Sequence, residues 1–319
     1  MSAPKAGERA LSGDRELVIG ILIMVVATQL QPMMDAVAKW LGGQMSPLQV
    51  AWGRMFFQML FTLPVVLWLS GAVGLVPRPI GLQILRGLFL SGMNVTFFFA
   101  IATMPIADAI ALVFVAPMVI TALSALVLGE HVGPRRWLAV AVGLAGALIV
   151  IRPGAGAFGA VGLLPLGTAF CYAGYLIVTR RLTTSARPME IHFFTALSSM
   201  VILTVPLLLG GAFSIPAIAP IAPSATQWAL LALVGLLSWA AHLLIILAYS
   251  RAPASVLAPI GYLEIVGATA VGLVVFGDFP DNWTWVGVAV IIASGLYILL
   301  RERSPGISAR MHGRRAAGR

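Results

Sequence analysis

Residues 116–154 read APMVITALSALVLGEHVGPRRWLAVAVGLAGALIVIRPG, and residues 258–300 read APIGYLEIVGATAVGLVVFGDFPDNWTWVGVAVIIASGLYILL. Each stretch holds two apolar runs joined by a short turn, Gly129-Glu130 in the first and Gly277-Asp278 in the second. The turns lie 148 residues apart, and the same offset relates Pro105 to Pro253, Trp137 to Trp285, Ala141 to Ala289 and Ala145 to Ala293. Earlier in each half the offset is 141–142, with Pro47 matching Pro188 and Pro64 matching Pro206. The order and near-constant spacing of these matches mark an internal repeat.

Outward from these stretches the whole chain is apolar. Of 319 residues, 60% are hydrophobic and 10% charged, with a mean hydropathy of +0.99. A soluble domain carries about 25% charged residues, so this chain lacks the charge to cover a water-facing surface. Disorder is excluded by the same numbers. The single cysteine, Cys171, excludes an internal disulfide and a cysteine-based zinc cluster. A membrane-crossing helix needs about 20 mostly apolar residues. Ten runs qualify: Leu17–Trp40, Pro47–Leu69, Ile80–Ala102, Ile106–Leu128, Pro134–Ile151, Ala160–Thr179, Ile191–Gly210, Gln227–Tyr249, Ala254–Phe276 and Trp283–Leu300. Gln29, Gln31 and Pro32 interrupt the first. That run is longer than the about 7–15 residues of a signal-peptide core and no clear A-x-A site follows it, so it is read as a retained span. The expected fold is an all-α integral membrane protein of ten transmembrane helices arranged as two inverted five-helix repeats. Residues 1–16 form a cytoplasmic N-terminal segment, 17–152 and 160–300 the two repeats, and 301–319 a basic cytoplasmic tail.

Cytoplasmic loops carry an excess of Lys and Arg. With the N-terminus inside, 17 of the 20 basic residues fall on that side; Lys39 and Arg152 fall outside and Arg54 within a span. Both termini are therefore expected in the cytoplasm, in a membrane of the bacterial inner-membrane type. The net charge of +9 then places a basic tail against anionic lipid rather than nucleic acid. Five spans per half make the second copy enter from the opposite side. Inverted repeats are a common build of secondary transporters, with substrate bound near the midplane between them. Small residues at Ala139, Gly143 and Ala147, and at Gly287 and Gly295, allow close helix contact. They suit supporting helices or a homodimer contact.

The two quoted stretches, together with DAVAKWL at 35–41 and SPLQVAWGR at 46–54, resemble the EamA-type drug/metabolite transporter superfamily. The resemblance runs from about Leu17 to Leu300, with Asp278 standing where the first copy has Glu130. It implies a secondary active transporter that moves a small metabolite or drug-like solute by alternating access. The family range includes riboflavin-like compounds, amino acids and drugs.

A polar residue at membrane depth is costly and marks a functional site by default. Glu264 lies eleven residues after Pro253, about 16 Å into its span. It suits proton coupling, or contact with a cationic part of the solute; a structural glutamate is the plainer reading. Arg54 offers a planar fork for a carboxylate or phosphate, or a structural ion pair with Asp35. Asp35 and Lys39 are spaced as a helical i, i+4 pair and stand near an outer gate. Asn94 and His242 suit solute reading and a proton relay, or plain interhelical hydrogen bonds. Tyr262, Trp239 and Phe98 suit an aromatic cavity wall or ordinary packing. Asp108 reads as a helix-terminal charge. Pro32 and Pro259 are candidate hinges or fixed kinks.

Other chemistry finds little support. GAGAFG at 154–159 fits G-x-G-x-x-G but joins two spans, with no following acid before Glu190, so it is a linker and not a dinucleotide site. There is no H-E-x-x-H, C-x-x-C or Walker loop, and no metal or organic cofactor is implied. An intramembrane hydrolase would have to rest on Ser238 and His242, without a G-x-S-x-G elbow. A passive channel would need charge rings or a filter loop. The chain is expected not to be an enzyme.

Overall fold

The computed structural model describes residues 6–128, 133–152, 159–182 and 185–302. The Gly129-Glu130 turn, most of the GAGAFG linker and the tail from 303 onward lie outside them. Every regular element among the described residues is helical. Six helices build the first half: α1 (Ala6–Gly42), α2 (Pro47–Ser70), α3 (Ile80–Ile101), α4 (Ile106–Val113), α5 (Ala116–Leu128) and α6 (Pro134–Ile151). The second half holds α7 (Leu163–Leu182), α8 (Pro188–Ala212), α9 (Ala225–Tyr249), α10 (Ala254–Leu257), α11 (Glu264–Val271) and α12 (Asn282–Glu302). Among the described residues nine helical segments are long and apolar enough to cross a membrane, and Asn282–Ile298 is a shorter apolar tenth.

Local chemistry sets the ends. Ser46 caps α2 by accepting from the Gln49 N–H at 3.2 Å, with Pro47 at the first helical position. Ser224 and Gln227 form a reciprocal capping box on α9. The first run is not interrupted, because α1 continues through Pro32 and Gln29 spends its amide on the Leu263 carbonyl at 3.0 Å.

The fourth and ninth runs are each broken. A turn at Phe114 and Val115 separates α4 from α5, and a tight 3₁₀ turn, Ala258–Leu263, separates α10 from α11. Pro117 and Pro259 sit at these breaks and have no N–H to return to the preceding turn.

Exchanging the two halves maps the packing onto itself. α1 lies along α9 as α7 lies along α3; α2 meets α9 as α8 meets α3; α1 meets α11 as α7 meets α5. The pairs α2–α8 and α6–α12 map onto themselves. The small-residue stripe is used within the chain. A Cβ on Gly287 would stand 2.8 Å from the Gly146 carbonyl oxygen, and Ser294 donates to the Ala139 carbonyl at 2.5 Å. Large apolar side chains face outward, with Trp68 84% and Val274 83% exposed, as suits a lipid-facing surface.

Candidate functional site

A cavity of about 360 Å³ lies between the halves. Five of the residues singled out by sequence reach its wall: Asp35 from α1, Arg54 from α2, Asn94 from α3, Tyr262 from the 3₁₀ turn and Glu264 from the start of α11. The helix breaks put them there, since the turn at 258–263 sends Tyr262 and Glu264 to the same wall. Phe97, Phe114 and Tyr172 give it flat apolar faces. The Tyr262 ring stands edge-on to Phe114 with centroids 5.0 Å apart. The lining extends along α1 from Asp35 to Met24, about 16 Å of helical rise.

Arg54 is 4% exposed and has no carboxylate within 4 Å among the described residues. Its Nε donates to Ser238 Oγ at 3.0 Å and its Nη1 to Asn94 Oδ1. An ion pair with Asp35 therefore does not form. Asp35, Arg54 and Glu264 all line the same cavity. Gln31 Oε1 and the Tyr262 hydroxyl, both on cavity-lining residues, are buried with no hydrogen-bond partner among the described residues.

The expected helical pair of Asp35 and Lys39 does not form either. Lys39 reaches outward to Asp278 at 2.8 Å, donates to the Met104 carbonyl at 3.1 Å and lies 4.7 Å from the centre of the Phe276 ring. The partly exposed carboxylate beyond the helix end is a better partner than Asp35, whose side chain faces the cavity. Arg152 and Asp281 pair at 2.6 Å at the same end of the bundle. Asp281 also accepts from the Thr284 N–H, and this bond, with Arg152, holds its carboxyl below the usual carboxylate range.

His242 and Trp239 do not line the cavity. His242 Nδ1 lies 2.8 Å from the Ser238 carbonyl, and its ring stands beside that of His192, tilted by 38° with centroids 4.9 Å apart. Trp239 sits beside Phe61 at 6.5 Å. Ser238 and His242 are not a nucleophile and base, because the hydroxyl bonds Arg54 and Gln58 while the imidazole bonds a backbone carbonyl. Pro32 packs near Gly267, where a Cβ would stand 3.2 Å from the proline ring. Sequence reading missed Pro117, Tyr172, Gln58 and His192. The i, i+4 spacing of Arg54 with Gln58, and of Ser238 with His242, was the available signal for a polar stripe on α2 and α9.

Residues 18–152 and 159–300 each match the EamA-like transporter family. The chain belongs to the EamA-like transporter family. It is 31% identical over 299 residues to a riboflavin transporter of Rhizobium johnstonii, covering 90% of this chain and 94% of that one. Against an S-adenosylmethionine uptake transporter of Rickettsia bellii it is 27% identical over 271 residues, 84% of this chain and 89% of that one. A pseudopaline exporter of Pseudomonas aeruginosa is 28% identical over 282 residues, 86% and 94% of the two chains. Among solved structures, one crystal structure shares the EamA-family chain's fold with a TM-score of 0.58 at 18% identity, covering 92% of this chain and 99% of that one.

Proposed function

We propose that this multi-pass membrane protein is a secondary carrier that moves a small amphipathic metabolite with a flat ring system by alternating access. The cavity carries the proposal, because it sets two carboxyls and a guanidinium among aromatic faces between the two halves. Its volume suits one small solute. The full-length similarity to a riboflavin transporter makes a flavin the first solute to test. The two carboxyls, Asp35 and Glu264, favour a second candidate, a cationic solute such as S-adenosylmethionine.

Glu264 is the proposed coupling group: it can exchange a proton with each side as the cavity opens in turn. The basic-residue asymmetry supports a bacterial inner membrane with both termini cytoplasmic. In that orientation the Lys39–Asp278 bridge latches the outer end. The cavity's extension toward Met24 supports a cytoplasm-facing stage of the cycle.

The test is uptake into proteoliposomes of riboflavin, S-adenosylmethionine, amino acids and cationic dyes, with and without a pH gradient. The expected result is saturable uptake of a ring-bearing solute, stimulated by the gradient and uncoupled from it by Glu264→Gln. Non-saturable flux would support a channel instead. No movement of any solute would overturn the carrier reading.

A further inference from the structure

Among the described residues the bundle buries two arginines, and they differ in one respect. Arg86 spends all three nitrogens inside the protein: Nε on Thr179, Nη1 on Thr195 and the Ile191 carbonyl, and Nη2 on the Tyr175 hydroxyl. It does not line the cavity. Arg54 spends only Nε and Nη1, and its Nη2 has no hydrogen bond among the described residues. Both Arg54 bonds go to neutral acceptors, so the charge is held in place without being neutralised.

The bond at Nε starts a longer string. Ser238 accepts from Arg54 and donates to Gln58 Oε1 at 2.7 Å. The Gln58 amide nitrogen then meets His192 Nε2 at 3.2 Å. Gln58 is 1%, Ser238 0% and His192 6% exposed. A guanidinium only donates, and with the amide so placed each link passes the donor sense onward. His192 thus accepts at Nε2 and carries its own proton on Nδ1. The string draws one side chain from each of α8 and α9 onto the turn of α2 that holds Arg54 and Gln58. The ring of His242 lies beside that of His192, tilted by 38° with centroids 4.9 Å apart.

We propose that Ser238, Gln58 and His192 are positioning residues for Arg54. They turn its Nη2 edge to the cavity and keep it there as the contact for an anionic or electron-rich group of the solute. The solute role rests on the carrier reading; the string itself does not.

Two measurements separate them. In ¹⁵N-histidine NMR of the purified protein in nanodiscs, His192, assigned by its loss in His192→Asn, shows the Nδ1–H tautomer. Ser238→Ala frees the amide to turn, and both tautomers appear. In proteoliposomes, Ser238→Ala raises KM roughly tenfold with little change in kcat, the expected cost of one charge-assisted hydrogen bond. Ser238→Thr, which keeps the hydroxyl, restores it. Gln58→Met breaks the string one link further on and serves if the alanine variant does not fold. An Nε2–H tautomer in the wild type, or a wild-type KM in Ser238→Ala, overturns the proposal. Absence of transport by the wild type, with the Nδ1–H tautomer observed, sinks the carrier reading and leaves the string intact.

Discussion

Gly295→Ala tests how tightly the cavity wall is backed. A Cβ at this position of α12 would stand 1.9 Å from the Tyr262 hydroxyl oxygen and 3.1 Å from the ring carbon that bears it. Ordinary contact begins near 3.4 Å, so the ring must move by more than an ångström. Phe114 stands edge-on to the ring at 5.0 Å, which limits that movement. Overpacking of this kind costs about 1–3 kcal/mol. The hydroxyl has no hydrogen-bond partner among the described residues, so Tyr262→Phe alone loses little. In the Gly295→Ala background the same change removes the 1.9 Å clash and leaves only the 3.1 Å contact. The double variant should therefore recover roughly 1–2 kcal/mol, a coupling energy expected for residues in contact. The assay is the apparent thermal midpoint of all four proteins in one detergent. If Gly295→Ala melts with the wild type, or Tyr262→Phe restores nothing to it, the ring does not lean on Gly295 and this account of the wall fails.

Three further outcomes are expected. Asp278→Asn removes a partly exposed pair worth up to about 1 kcal/mol, so it shifts the open-to-closed ratio at the Lys39 end by at most about fivefold. Faster maleimide labelling of Met34→Cys in a Cys171→Ser background would show this, and unchanged labelling would discard the latch. Because the folded Asp281 carboxyl titrates below its ordinary value of 3.8, its stabilising effect is present above that value and fades as pH falls through the folded one. Asp281→Asn should then lower the thermal midpoint slightly at pH 7 and have no effect once the wild-type carboxyl is protonated; an equal loss at both would refute the assignment. Glu264→Gln should abolish gradient stimulation of uptake while sparing solute exchange at equal pH, and retained stimulation would move the coupling role elsewhere.

The fold was legible because apolar length and basic-loop asymmetry are additive properties of the chain, insensitive to errors of a few residues. Asp35, Arg54, Asn94, Tyr262 and Glu264 stood out because polar groups are rare at membrane depth, and the structure places all five on one cavity. Partners were less legible than positions. Asp35 lies one turn from Lys39, and local spacing favoured that pair; the actual partner, Asp278, is 239 residues away and is brought near by α1 packing on the end of α11. His192 follows Pro188 by four residues, where nothing in the local sequence marks it; packing of α8 on α2 buries it against Gln58. The repeat did not flag the site either, because the charges are not duplicated: at the offset of 142 that relates Pro117 to Pro259, Ala122 stands where Glu264 does.

The contact between Gly146 and Gly287 has a consequence for measurement and for mutation alike. These residues join one helix from each half, backbone against backbone, in a pair that exchange of the halves maps onto itself. In the proposed alternating-access cycle, such an interface would present the same face to either arrangement of the remaining helices. Labels placed on α6 and α12 therefore supply a stationary origin from which the travel of every other helix can be read. A substitution there burdens both arrangements equally, so selection would register it through the amount of folded protein in the membrane and not through the direction of travel.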